Sequence, residues 1–116
     1  MTKTIFITYD LGIRGDFDSL YTWLDENNAE ERGYGLAVIK KFSVDSSLKK
    51  DIDFMRSVRD ILAAKMKITS SDRIYMVWNS VENDKIKAGF LFGKSKQAPW
   101  TGFAQKGGIG NIDLDI

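Results

Sequence analysis

The chain contains neither His nor Cys. That removes Ser–His and Cys–His nucleophiles, Cys/His zinc sites, haem ligation by His and disulfide staples. Asp10 is the most informative acid, because it ends the run Thr4-Ile5-Phe6-Ile7-Thr8-Tyr9 and precedes a loop holding Gly12 and Gly15. A carboxylate at the exit of a buried strand suits Mg²⁺ or Mn²⁺, which take oxygen ligands and keep waters. The competing reading, a structural hydrogen bond to loop amides, stands level with it. Asp16 and Asp18 follow and are further metal candidates, but Asp16 fits better as a helix N-cap and Asp18 as a first-turn acid. One carboxylate per chain makes a poor metal site, whereas a symmetric dimer presents two.

Lys85, Lys87, Lys94 and Lys96 lie near Trp78 and Trp100 in sequence, so cations alternate with rings. Nucleic-acid surfaces use both, cations for phosphates and rings for stacking. The plainer reading is strand-edge lysines that discourage aggregation, with the tryptophans in the core. A small nucleotide beside Trp78 or Trp100 is a third expectation. The stretch Ala88-Gly89-Phe90-Leu91-Phe92-Gly93-Lys94-Ser95 has a loose phosphate-loop spacing. Its Phe-Leu-Phe interior prefers a strand and cannot curl amides around a phosphate, so the match is a coincidence.

The elements that must position these residues are legible in the pattern. The chain has 116 residues, enough for one domain with a core. Its net charge of +1 conceals segregation. Residues 1–31 hold two bases against seven acids, 32–106 hold fifteen against seven, and 107–116 add two acids. Solvated helix faces explain this most simply; a basic patch for phosphates beside an acidic corner is the functional reading. Residues 4–9 read as a strand buried on both faces. Asp16 caps a helix whose stripe is Phe17, Leu20, Tyr21 and Leu24, ended by Asn27-Asn28. Residues 33–44 read as one long strand, or as two joined near Lys40-Lys41. Asp45-Ser46-Ser47 opens a helix of roughly 20 residues with Leu48, Ile52, Met55, Val58, Leu62 and Met66 on its buried face. Arg73–Asn79 and Lys85–Phe92 form a hairpin. The expected domain spans 1–106. Residues 107–116 form a tail whose alternating Ile112-Asp113-Leu114-Asp115-Ile116 suits an edge strand. The apolar runs are too short for a membrane span, and the first residues lack a signal-peptide pattern, so a cytoplasmic protein without membrane contact is expected.

Four segments together resemble a known family: Ile5-Phe6-Ile7-Thr8-Tyr9-Asp10-Leu11, Asp16-Phe17-Asp18-Ser19-Leu20-Tyr21, Asp72-Arg73-Ile74-Tyr75-Met76-Val77 and Pro99-Trp100-Thr101-Gly102-Phe103. Their order is similar to that of the small SinR-like proteins, relatives of the ferredoxin-like CRISPR adaptation subunit. The resemblance implies an α+β, ferredoxin-like sandwich: a four- to five-stranded, mainly antiparallel sheet with two helices on one face. It implies a homodimer and a metal-dependent nuclease or a nuclease-derived scaffold on nucleic acid, with Asp10 as the matching acid. The expectation is thus a small nucleic-acid-associated dimer. Asp10 would be its catalytic and metal residue, Lys85, Lys87, Lys94, Lys96 and Trp100 would contact nucleic acid, and no organic cofactor is indicated. The alternative is a non-catalytic interaction or sequestering protein, an accessory factor of a mobile element or of a defence system. It would meet a protein partner through the Lys94–Phe103 segment and the tail.

Overall fold

The computed structural model describes residues 1–106. The expected edge strand within 107–116 lies outside the described residues. The elements are β1 (Thr2–Asp10), α1 (Phe17–Glu26), β2 (Glu30–Gly33), β3 (Leu36–Ser43), α2 (Asp51–Lys65), β4 (Arg73–Asn79), β5 (Ile86–Phe92) and a short α3 (Phe103–Lys106). The fold is α+β. Among the described residues its sheet has five strands in the order β2-β3-β1-β4-β5, every neighbouring pair antiparallel. No helix among the described residues is long and apolar enough to cross a membrane.

Residues opposite one another in adjacent strands share a face. The register aligns Ile5 with Ile39 and Trp78, and Ile7 with Ala37 and Met76. These side chains are buried in one cluster with Leu20, Trp23 and Leu24 of α1 and Phe54, Val58 and Leu62 of α2. Edge-on ring contacts run through it from Trp23 to Phe42, Phe54 and Trp78, with centroids about 6 Å apart. The other face carries Thr4, Phe6, Thr8 and Asp10 of β1 beside Val77, Tyr75 and Arg73 of β4. Phe6 stays 39% exposed there. The opening strand is therefore buried on one face, not on two as its apolar run suggested.

Three local expectations are corrected. The segment 33–44 turns at Tyr34-Gly35, between β2 and β3, and not at Lys40-Lys41. Gly35 has φ +71°, and its backbone oxygen accepts from Tyr9 N at 2.8 Å. A Cβ on Gly35 would come within 2.7 Å of Tyr9 O, so this turn demands glycine. Lys40-Lys41 is instead a bulge, two residues opposite Thr4 alone, where the Thr4 hydroxyl donates to Lys40 O. The second helix starts at Asp51, after Asp45 has closed a local turn by accepting from Ser47 N. Its 15 residues bury Asp51, Phe54, Val58 and Leu62, while Ile52 faces outward.

Candidate functional site

Two acids, one buried and one partly exposed, build the framework around the β1 exit. Asp72 is almost fully buried, and its carboxylate accepts from Gly12 N (2.9 Å) and Thr69 N (2.7 Å). It thereby ties the loop after β1 to the loop before β4. Asp16 caps α1 through Ser19 N and accepts Lys67 N at 2.9 Å with its other oxygen. The Lys67 and Ser19 hydrogen bonds hold its carboxyl below the ordinary value. Both Asp16 oxygens are thus committed to backbone. Asp18 sits near Ser19, Thr22, Glu26 and Lys65, away from Asp10.

Asp10 lies at the last register position of the β1–β4 pairing, directly opposite Arg73. Arg73 Nη2 donates to Asp10 Oδ2 at 2.8 Å, and this bond holds the Asp10 carboxyl below its usual range. A cationic guanidinium therefore takes one of the two carboxylate oxygens of a side chain that is otherwise largely exposed. No group of three or more acids among the described residues could hold a metal ion. The expected metal centre shared between two copies at a dimer axis needs a second chain, and no metal-dependent step is derived from Asp10 alone.

Around this pair the surface opens into two adjoining clefts that share Arg73. The first, about 470 Å³, lies on the open sheet face and is lined by Thr8, Asp10, Tyr34, Tyr75 and Phe90 with Arg73. Tyr75 and Phe90 are cross-strand partners with ring centroids 4.8 Å apart and planes inclined by 70°. The second, about 510 Å³, is lined by Ser70, Ser71, Arg73, Gly93, Lys94 and Lys96. Lys96 also borders a recess with Asp10 and Arg14. Gly93, at φ +82°, makes the turn out of β5 that brings Lys94 back beside Arg73. Arg73 Nε is buried without a hydrogen-bond partner among the described residues, so its guanidinium is only partly satisfied.

The five sequence-derived contact residues do not gather. Lys94 and Lys96 join Arg73. Lys85 precedes β5 and Lys87 lies opposite Trp78 near its start, whereas Lys94 follows its end. A seven-residue strand places those ends about 20 Å apart. Trp100 is 73% exposed and borders neither of these two clefts. Trp78 is core, its indole N–H donating to Asp51, and cannot line a nucleotide pocket. Arg73, Tyr75 and Phe90 went unnoticed in the sequence. Their signal was parity: Arg73, Tyr75 and Val77 share one side of β4, and the hairpin register sets Phe90 beside Tyr75. Comparison with known proteins gave no match: no protein-family model, no curated protein and no solved structure is similar to this chain.

Proposed function

We propose that the protein binds single-stranded nucleic acid at the Asp10 end of its open sheet face, without cutting it. Bases would stack on Tyr75 and Phe90, and phosphates would lie along Arg73, Lys94 and Lys96. The observation that carries this reading is the position of Arg73, which forms part of the wall of both the aromatic and the basic cleft. Aromatic stacking contributes about 1–3 kcal/mol per base and tolerates any sequence, and the cations supply a salt-sensitive backbone grip. A duplex keeps its bases stacked inside and cannot use the ring platform.

This reading keeps the nucleic-acid association expected from the SinR-like resemblance and sets aside the nuclease. The strand order is compatible with a ferredoxin-like plan extended by β5, which we adopt as the fold assignment. A second copy of the chain is the partner we assign to the other end of the open face, where Phe6, Val77, Ala88 and Ile86 form an apolar stripe. The direct test is fluorescence anisotropy of a labelled single-stranded oligothymidine and of a duplex of equal length at low salt. The single strand should bind more tightly. Absence of binding to either, or equal affinity for both, would remove the stacking cleft from the function.

A further inference from the structure

A further pocket of about 250 Å³ lies at the β1 exit between α1 and the β2–β3 turn, sharing Tyr9, Asp10, Tyr34 and Gly35 with the first cleft. Its walls are aromatic: Tyr9, Phe17, Tyr21 and Tyr34. The rings are set at angles to one another, Tyr9 against Tyr21 at 72° with centroids 6.0 Å apart, and Phe17 against Tyr21 at 53° and 5.7 Å. Asp10 and Glu31 complete the lining, and no Lys or Arg forms an ion pair with the Glu31 carboxylate among the described residues, Arg32 donating only to its backbone oxygen. The hydrogen bond from Tyr9 N to Gly35 O fixes the backbone of the turn bearing Tyr34 against β1, while the Tyr34 side chain itself is fully exposed at the pocket's rim.

We infer that this pocket binds a methylated ammonium group. Aromatic rings attract a cation that carries little hydration, and four ring-bearing side chains line this one pocket. A neighbouring carboxylate adds charge without demanding a directed hydrogen bond. An anion is disfavoured, since the lining carries Asp10 and Glu31 and neither Lys nor Arg. The pocket adjoins the aromatic cleft across Tyr9, Asp10, Tyr34 and Gly35, and the two select opposite charges because Arg73 lines only the cleft. The inference does not depend on nucleic-acid binding.

Two sources carry such a head group, a free choline-like molecule and a trimethylated lysine on a protein tail. The probes are choline, its uncharged isostere 3,3-dimethylbutan-1-ol, and a short peptide with trimethyllysine beside its unmodified form. The readout is the ring NMR signals of the four tyrosines. Choline or the trimethyllysine peptide should shift Tyr9 and Tyr21 saturably, while the alcohol and the unmodified peptide leave them in place. The tighter of the two ammonium ligands identifies the source. Tyr21→Leu should weaken binding roughly tenfold. Glu31→Gln, which preserves every ring contact, should weaken it roughly threefold. Equal shifts from choline and the alcohol, or no shift with either ammonium ligand, would overturn the inference.

Discussion

Arg73 lies between a carboxylate that already holds it and a cleft able to receive a phosphate. Asp10 takes one of its N–H groups and, being exposed, contributes little stability, typically about 0–1 kcal/mol. It also places a negative charge where an incoming phosphate has to approach. Asp10→Asn should therefore leave the melting temperature almost unchanged and strengthen oligothymidine binding, by roughly threefold to tenfold. A nuclease whose metal sat on Asp10 would lose activity with the same substitution. Binding isotherms of the two proteins decide between these outcomes, and weaker binding by Asp10→Asn contradicts the account. Asp10 was legible in the sequence because a strand visibly ended there. Its partner was not, since pairing with Arg73 spans 63 residues and depends on β1–β4 register, which no local pattern encodes.

Among the elements, the α2 start is organised by an acid that sequence analysis passed over. Asp51 is buried, and its carboxylate accepts from Trp78 Nε1 (2.9 Å), Ser80 Oγ (2.6 Å) and Val81 N (2.9 Å). Burial pushes its pKa up, but the hydrogen bonds from Ser80, Trp78 and Val81 outweigh it and hold the carboxyl below the ordinary value. Because the folded-state pKa is the lower one, this contribution is whole above the unfolded pKa of about 4 and is lost as pH falls through the folded value. Asp51→Asn sets an amide N–H against one of these donors and should cost about 2–4 kcal/mol at pH 7. Denaturant titrations between pH 7 and pH 2 should then show a shallower loss of stability in the variant. Equal pH dependence would mean that Asp51 is not the residue that titrates. Elements with unbroken alternation, such as Arg73–Asn79, were readable to the residue. The β2–β3 turn and the α2 start were not. Tyr34-Gly35 turns because its backbone docks on Tyr9, and Asp45 forms a local turn that imitates a helix cap.

The molecule as a whole separates charge and apolarity into distinct regions: a basic and aromatic end of the open face, an acidic pocket adjoining it, and an apolar stripe at the far end. Ile86, 68% exposed, and Phe6 leave that stripe uncovered in one chain. Light scattering should give about twice 13.1 kDa for the protein and a single-chain mass for Phe6→Lys, which puts a charge in the stripe. A monomeric parent protein would remove the second copy from the account while leaving the cleft intact. Charge segregation was visible from counting residues along the chain. Which faces carried it required the strand order.

If Arg73, Lys94 and Lys96 hold phosphates while Tyr75 and Phe90 hold bases, the affinity for single-stranded oligothymidine as a function of salt separates the two roles. It is measured for the parent protein, for Lys94→Ala/Lys96→Ala and for Tyr75→Ala. Three phosphate contacts on a single strand predict a slope of log K against log salt of about −2, which the double lysine variant should reduce to about −0.7. Tyr75→Ala should lower affinity at every salt concentration and keep the parent slope. If the lysine variant retains the full slope, or the tyrosine variant binds as well as the parent, the cleft around Arg73 is not where nucleic acid lies.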